Sequence, residues 1–210
     1  MASRFTKEYQ ALQQQMGLTN IHAVPRIVRV VVNVGVGKQR DNSALLKAVQ
    51  HDLAAITGQK PHERRARKAV SGFNVRQGNL VGYRVTLRGR RMEDFVRRFV
   101  DITLPRVRDF RGIPLKSLDG QGNLSVGVAE QLPFPEIQPE KTDVIFGLQV
   151  TFVTTAVTDE IGEQLFRVLG FPLTREADDA AEVTLDTART RRAREEAKHK
   201  LQEKEIPTQS

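Results

Sequence analysis

The sequence predicts an α+β domain in which helices cover one face of a largely antiparallel sheet, with long ordered loops between the elements. Residues 26–36 alternate valines with other side chains, as a strand does. Residues 82–89 alternate again, with Arg84, Thr86 and Arg88 opposite an apolar face. Amphipathic helical stripes precede and follow these strands, so we expect helices on the apolar side and an open, concave, cationic face on the other.

The first predicted element is a helix over residues 3–16. Four apolar side chains recur there at helical spacing: Phe5, Tyr9, Leu12 and Met16. Gly17 follows and is a typical helix stop. A stripe of this kind indicates packing against a core, and we assign it no ligand.

Residues 26–36 are the strongest predicted strand. One face should carry five valines: Val28, Val30, Val32, Val34 and Val36. The other face should carry Ile27, Arg29, Val31 and Asn33. Asn33 is a polar amide within a β-branched run, which suits contact with a base edge or a sugar of RNA. A hydrogen bond to a neighbouring turn explains it equally well, and the residues alone leave both possibilities open.

Residues 35–38 read Gly-Val-Gly-Lys and resemble a fragment of a phosphate-binding loop. A nucleotide-binding loop needs another glycine in register and a Ser or Thr after the lysine, whereas Gln39 follows Lys38 here. We therefore expect a tight exit from the strand. A nucleotide-using enzyme remains an alternative, which micromolar binding of ATP or NAD would favour.

Two further core helices are predicted. The first is capped by Asp41, Asn42 or Ser43 and ends at Gly58. The second covers residues 92–102 until Pro105 stops it.

The later part of the chain predicts loop, strand and helix in turn. Residues 105–146 are rich in proline and glycine and predict mostly ordered loop, with one alternating run at 124–129. A strand at 148–153 and a helix from Thr158 to Gly170 follow.

Between Lys60 and Arg91 the chain has ten Lys or Arg residues against one acid, Glu63. Guanidinium groups match phosphate geometry, and hydroxyls can contact sugars or bases, so this stretch predicts an RNA-binding surface. Its glycines, at positions such as 72 and 78, predict a mobile loop in the middle. The alternative is a solvated charged face, which the ten-to-one ratio disfavours.

Composition limits the function classes. The 210 residues carry a net charge of +8, which indicates a polyanionic partner such as nucleic acid or an anionic membrane surface. The chain has no Cys, and its four His are not at metal-ligand spacings, so we expect no disulfide, no thiolate chemistry and no metal site. No apolar run approaches the roughly 20 residues of a membrane span, and the N-terminus lacks the apolar core of a signal peptide, so we expect a soluble, intracellular protein.

Two regions are predicted, with a boundary between residues 174 and 175. Residues 1–174 should form the folded domain. Residues 175–210 begin with an acidic patch and continue with a basic run poor in apolar residues. Such an extension cannot bury enough surface to order itself, so we expect it to be disordered or to become helical on a partner.

Several strings occur together in one order along residues 3–174. They are Asn33-Val34-Gly35-Val36-Gly37, Gly58-Gln59-Lys60-Pro61, Ala66-Arg67-Lys68, Val75-Arg76-Gln77-Gly78, Thr86-Leu87-Arg88-Gly89, residues 105–112, Gly122-Asn123, Glu130-Gln131 and Phe134-Pro135-Glu136-Ile137. In this combination the sequence resembles the bacterial large-subunit ribosomal protein five family, whose members bind 5S rRNA in the central protuberance.

The resemblance implies a non-enzymatic, RNA-binding protein of the ribosome, with no cofactor and no small-molecule substrate. The implied partners are 5S rRNA, 23S rRNA, P-site tRNA, the small-subunit head protein thirteen, which completes an intersubunit bridge, and neighbouring proteins of the central protuberance. Four matched positions hydrogen-bond to or pack on 5S rRNA in the family: Asn33, Gln59, Phe73 and Thr86. We add four cations from the same surface to the predicted 5S rRNA site: Arg29, Lys60, Arg84 and Arg88.

The loop that reaches P-site tRNA in the family matches the segment around residues 67–80. Its predicted contacts are Arg67, Lys68, Asn74, Arg76, Gln77 and Asn79. The sequence departs from the family at Asn74, where Lys is common, and at Leu80, where Pro is frequent. Residues 175–210 have no counterpart in a typical member. A general RNA-binding regulator with aromatics on its sheet is the remaining alternative, but Tyr83 is predicted to face the core.

Overall fold

The computed structural model describes residues 5–37, 42–141 and 144–174. In this part of the chain the helices are α1 (Thr6–Gln15), α2 (Ser43–Thr57), α3 (Gly89–Arg98), α4 (Leu104–Arg106) and α5 (Asp159–Val168). The strands are β1 (Ile27–Gly35), β2 (His62–Arg65), β3 (Leu80–Leu87), β4 (Ile113–Pro114), β5 (Leu124–Val128), β6 (Leu148–Thr154) and β7 (Leu173–Thr174). The predicted extension, 175–210, lies outside these residues.

Five strands form one sheet in the order β2, β3, β1, β6, β5, and every neighbouring pair is antiparallel. The two short strands β4 and β7 form a separate pair. The α+β class and the largely antiparallel sheet are therefore confirmed. β1 is the central strand, so its side chains face neighbours on both sides.

The core lies on one side of the sheet, where the helices pack. Val30, Val32 and Val34 of β1 are buried, as are Tyr83, Val85 and Leu87 of β3. Aromatic rings join the sheet to the helical layer: the ring of Phe152 in β6 lies 5.5 Å from that of Phe99 and 5.0 Å from that of Phe171. Such pairs add about 0.5–1.5 kcal/mol each beyond the burial of their area.

The predicted alternation of β1 fails at its start. Ile27 is buried, with 4% of its surface exposed, whereas Val28 is 43% exposed. The pairing of β1 with β6 shifts register between Ile27 and Arg29, which is a β-bulge. A bulge inserts one extra residue into a strand, so the residues before it point to the face opposite the one that regular alternation predicts. The expectation that Val28 shares the buried face of Val30 was therefore wrong, while Arg29, Val31 and Asn33 keep their predicted face.

Pro105 does not stop the helix where it was expected to. α3 continues through a π-helical stretch, Phe99–Thr103, in which the Leu104 N–H donates to the Phe99 carbonyl five residues back, and then into α4. Proline lacks an N–H and clashes with the carbonyl four residues earlier, so a wider turn accommodates it. The helical path ends at Arg106, one residue beyond the proline.

The N-terminus of α2 follows the expected capping chemistry. Asn42 is the N-cap, and its side-chain oxygen accepts a hydrogen bond from the Leu45 N–H at 3.1 Å. Gly58 closes the helix in the left-handed conformation with φ of 64°. Asp41, the other proposed cap, lies outside the described residues.

Candidate nucleic-acid interface

One row of side chains crosses all five strands on the side of the sheet opposite the core. In the ladders His62 pairs with Arg84, Arg84 with Asn33, Asn33 with Gln149, and Gln149 with Gly127. Directly paired residues share a face, and the strands lie about 4.8 Å apart, so the row spans roughly 20 Å. It places an imidazole, a guanidinium and two amides side by side.

A second row runs parallel to the first. Thr86 pairs with Val31, Val31 with Thr151, and Thr151 with Ser125. The hydroxyl oxygens of Ser125 and Thr151 are 3.0 Å apart and hydrogen-bonded, with either able to donate. The row is therefore hydroxyl-rich at both ends and apolar at Val31. We call the two rows together with Arg29 the open face.

The arginines of the open face lack a complete set of partners. The Nε atoms of Arg29 and Arg84 are buried, and neither has a hydrogen-bond partner among the described residues. An unsatisfied buried donor costs about 1–3 kcal/mol, which a phosphate oxygen would relieve. Arg88 follows β3 as the exposed N-cap residue of α3, so it lies beside the open face at the strand end.

Residues 66–79 extend the β2–β3 hairpin beyond the sheet. The ladder continues with Ala66 N–H donating to the Asn79 carbonyl at 2.8 Å, and Val70 and Val75 exchange two bonds of 2.8 and 3.1 Å. A 3₁₀ turn, Ser71–Phe73, closes the tip. The structure therefore gives this segment a hydrogen-bonded hairpin, which local composition did not reveal, and its predicted mobility remains a prediction.

Asn74 ends that turn with φ of 51°, in the left-handed region. Asn adopts this conformation far more easily than a long or β-branched side chain does. Asparagine at position 74 therefore fits the backbone at the tip.

The other predicted tRNA-contacting residues line the hairpin extension. Arg67, Lys68, Arg76 and Gln77 are exposed, and Asn79 is partly buried. They share one hairpin but lie beyond the end of the sheet, so the structure separates them from Asn33 and Thr86. Their predicted contact with tRNA remains a prediction.

Phe73 lies at the hairpin tip, 79% exposed, and is not part of the sheet. It lines a cleft of about 890 Å³ with Val70 and Ile145, which are also exposed, and with Arg67 and Lys68. The cleft opens where β1 ends and where β3 and β6 begin. Phe73 therefore offers its ring at the end of the open face, and its predicted RNA contact is geometrically separate from that of Asn33.

Gln59 and Lys60 lie in the connection between α2 and β2. The Gln59 carbonyl accepts a hydrogen bond from the Thr57 hydroxyl at 3.1 Å, which fixes the backbone there, and Lys60 is exposed. Lys60 lines a cationic groove of about 600 Å³ along the edge strand β2, together with Arg64, Arg65 and Arg67. The groove joins the open face to the hairpin extension.

Four members of the open face were missed from the sequence: His62, Ser125, Gln149 and Thr151. The alternation at 148–153 already placed Gln149 and Thr151 opposite the apolar side chains of that strand. The missing information was the strand order, because only the pairing of β6 with β1 brings them beside Asn33 and Val31.

Two alternative functions find no geometric support. Gly35 pairs with Gly82 within the sheet, and α2 begins only at Ser43 with its own Asn42 cap, so Gly35–Gly37 do not form a loop at a helix N-terminus. Lys38 lies outside the described residues. Tyr83 is buried against the core, with 2% of its surface exposed, so its ring cannot stack on a base. The same burial raises the pKa of its phenol, and the Glu63 carboxylate raises it further.

The described residues also hold no group of three or more His, Asp or Glu side chains arranged to bind a metal ion. Within the same part of the chain no helix has both the length and the hydropathy to span a membrane.

Comparison with known proteins identifies the family. A family model described as ribosomal protein L5 matches residues 20–76, and one described as the C-terminus of the same ribosomal family matches residues 80–173. A large ribosomal subunit protein uL5 from Carboxydothermus hydrogenoformans is 50% identical over 165 residues, covering 79% of this chain and 92% of that protein. The chain belongs to the uL5 family. Its members are structural proteins of the ribosome and not enzymes.

Other members of the uL5 family match to the same extent. The uL5 protein of Rubrobacter xylanophilus is 51% identical over 162 residues, and that of Prochlorococcus marinus strain MIT 9211 is 50% identical over 161 residues. Each alignment covers 77% of this chain and 90% of the relative. The uL5 resemblance expected from the short strings thus extends over most of the described chain.

Proposed function

We propose that this uL5 family protein is a structural constituent of the large ribosomal subunit that binds 5S rRNA through the open face and attaches it to the subunit. The observation that carries the proposal is the pairing of Asn33 with Arg84, beside the pair of Thr86 and Val31. Cations there can hold phosphates while an amide and a hydroxyl contact sugars or bases. Such a protein acts in the cytoplasm, within the ribosome.

The mechanism is positioning, with no bond made or broken. Arg29 and Arg84 have buried Nε donors without partners, and the open face has no acidic residue in its two rows. Phosphate neutralisation by these groups releases counterions and gives salt-dependent affinity. The neutral members then select the correct region of the RNA surface.

The hairpin extension is the proposed contact with P-site tRNA. It projects beyond the sheet, it is braced by backbone hydrogen bonds, and it carries Arg67, Lys68 and Arg76 on exposed positions. Membership of the family supports the remaining partners, namely 23S rRNA, the small-subunit head protein thirteen and neighbouring central protuberance proteins.

The 5S rRNA proposal is tested by titrating the full chain with 5S rRNA at several salt concentrations. We expect Arg84→Gln to weaken binding and to lower the slope of log affinity against log salt by about one. Gln164→Ala, on the exposed side of α5, is the matched control and should change neither. An unchanged slope in Arg84→Gln would remove Arg84 from the phosphate contacts, and a wild type that binds unrelated structured RNA equally well would refute the proposal.

A further inference from the structure

The open face is divided by charge along its length. His62, Arg84 and Arg29 lie on β2, β3 and β1, whereas neither β5 nor β6 contains a charged residue. We define Ser125, Gln149 and Thr151 as the polar shelf. The register places Gln149 beside Asn33 and Thr151 beside Val31, so the polar shelf continues the surface of the cationic strands.

The polar shelf keeps hydrogen-bonding capacity for a ligand. Ser125 and Thr151 are direct cross-strand partners with oxygens 3.0 Å apart. Each hydroxyl has one donor and two acceptor positions, and the bond between them uses one donor, so the pair still offers an O–H and free lone pairs. Thus the pair can both donate to and accept from a third hydroxyl.

Gln149 adds an amide in an unobstructed position. It is exposed, and its partner across the ladder is Gly127, where an added Cβ would meet nothing within 4 Å. An amide both donates and accepts, and the bare glycine leaves room for a ligand to approach the backbone beside it. The polar shelf is therefore neutral and of mixed donor and acceptor character.

We propose that the polar shelf binds ribose 2′-hydroxyl groups in the minor groove of RNA while Arg84 and Arg29 hold the adjacent phosphates. This proposal rests on the RNA-binding function proposed above and names the part of the site that distinguishes RNA from DNA. The 2′-hydroxyl both donates and accepts, and A-form RNA displays it in a wide, shallow minor groove, where short side chains on a sheet can reach it. The polar shelf has no charge with which to neutralise a phosphate, whereas its hydroxyls and amide can both donate to and accept from a 2′-hydroxyl.

The spacing of the strands supports the same division. Arg84 lies on β3, two strands from Thr151 on β6 and three from Ser125 on β5. At about 4.8 Å per strand, the polar shelf begins roughly 10 Å from the guanidinium strand. A phosphate on the β3 side of the sheet and sugars towards the opposite edge, β5, can therefore be bound simultaneously.

The test compares two forms of 5S rRNA at fixed salt, using the full chain. One form is natural, and the other carries 2′-fluorine on its pyrimidines, which retains the A-form sugar pucker but cannot donate a hydrogen bond. We expect wild type to bind the natural form about 10-fold more tightly, corresponding to one or two lost hydrogen bonds. A variant that combines Gln149→Ala with Thr151→Val should lose most of this preference for the natural RNA. The slope of its log affinity against log salt should not change.

Two further variants separate the outcomes. Arg84→Gln should change the salt slope but leave the ratio of affinities for the two RNAs as in wild type. Gln164→Ala should change neither the slope nor this ratio. Gln149 is exposed, so Gln149→Ala alone reports on the polar shelf without disturbing the core if Thr151→Val proves unstable. A wild type that does not distinguish the two RNAs, or shelf variants that keep the full ratio, would overturn this inference while leaving 5S rRNA binding intact. No binding of either RNA by wild type would refute the proposed function itself.

Discussion

Asn33 and Arg84 lie directly opposite each other on β1 and β3, and Gln149 flanks Asn33 on its other side. β1 is the central strand, where Asn is disfavoured and a β-branched residue would pack better. The amide is exposed between a guanidinium and a second amide, and it forms no hydrogen bond to a turn within residues 5–37, 42–141 and 144–174. This arrangement favours the RNA contact over the alternative in which Asn33 serves a neighbouring turn.

The open face predicts which substitutions weaken RNA binding without unfolding the protein. Asn33→Ala and Thr86→Val should each weaken 5S rRNA binding about 5- to 10-fold, because each removes roughly one hydrogen bond of about 1 kcal/mol. Both side chains lie away from the core, so the midpoint of thermal unfolding should not fall. Gel-shift titration together with thermal unfolding measures both effects. Unchanged affinity in both variants would exclude these two contacts.

The tip of the hairpin extension depends on the left-handed backbone at Asn74. Asn74→Val should destabilise the tip by about 1–2 kcal/mol, because a β-branched side chain clashes in that conformation. Hydrogen exchange of the Val70 and Val75 amides, which bond across the tip, should accelerate about 5- to 30-fold. Asn74→Gly is the matched control and should leave exchange close to wild type. If the Val70 and Val75 amides of Asn74→Val exchanged at the wild-type rate, this account would be contradicted.

Arg98 links three segments of the domain. Its guanidinium forms an ion pair with Glu136 and donates to the Ile56 carbonyl at 3.2 Å. We expect Arg98→Ala to lower the free energy of unfolding by about 1–3 kcal/mol, since a partly buried carboxylate and a carbonyl lose their donor. Denaturant unfolding measures this loss.

The surface pair of Arg167 and Glu163 provides the comparison for Arg98. These residues stand four apart on α5 with a 2.7 Å contact, and Arg167→Ala should cost no more than about 0.5 kcal/mol. An Arg98→Ala variant as stable as Arg167→Ala would show that Arg98 contributes only a surface ion pair.

Asp119 gives the turn before β5 a dependence on acid. Partial burial raises the pKa of its carboxyl, but hydrogen bonds from the Asn123 side chain and from the Gln121 and Asn123 amides outweigh this and lower the pKa overall. Because the pKa of Asp119 is lower in the folded state, its ionised carboxyl stabilises the fold fully at pH values above the ordinary pKa near 4. This contribution to the free energy of unfolding is lost as the pH falls through the lowered pKa of the folded state. Stability of wild type should therefore fall more steeply below about pH 4 than that of Asp119→Asn. Parallel acid profiles would contradict this.

The apolar faces of the strands were predictable because alternation is local. Val30 to Val34 and Tyr83 to Leu87 reveal their buried faces without reference to any other segment. The faces of Ile27 and Val28 could not be predicted in this way, because the bulge that reverses them arises only where β1 pairs with β6. The helix around Pro105 also differed from the prediction, because a π-helical stretch, Phe99–Thr103, accommodates the proline and the helical path continues past it.

The open face was predictable only in part. Arg29, Asn33, Arg84 and Thr86 share a face as expected, because two alternating strands were assigned correctly. The neutral half escaped notice because Gln149 and Thr151 carry no charge and stand more than sixty residues from Thr86 in the chain. The boundary at residues 174 and 175 and the extension beyond it remain predictions.

The order of strands in the sheet differs from their order in the chain. β1, β2 and β3, which carry the cations, are complete by Leu87, whereas β5 and β6 come from Leu124 onward. During synthesis the phosphate-binding half therefore leaves the polypeptide exit tunnel first, and the half that completes the surface arrives later. We expect a nascent chain to attract any polyanion electrostatically before β6 docks, so the discrimination of RNA from DNA that the polar shelf would supply begins only afterwards.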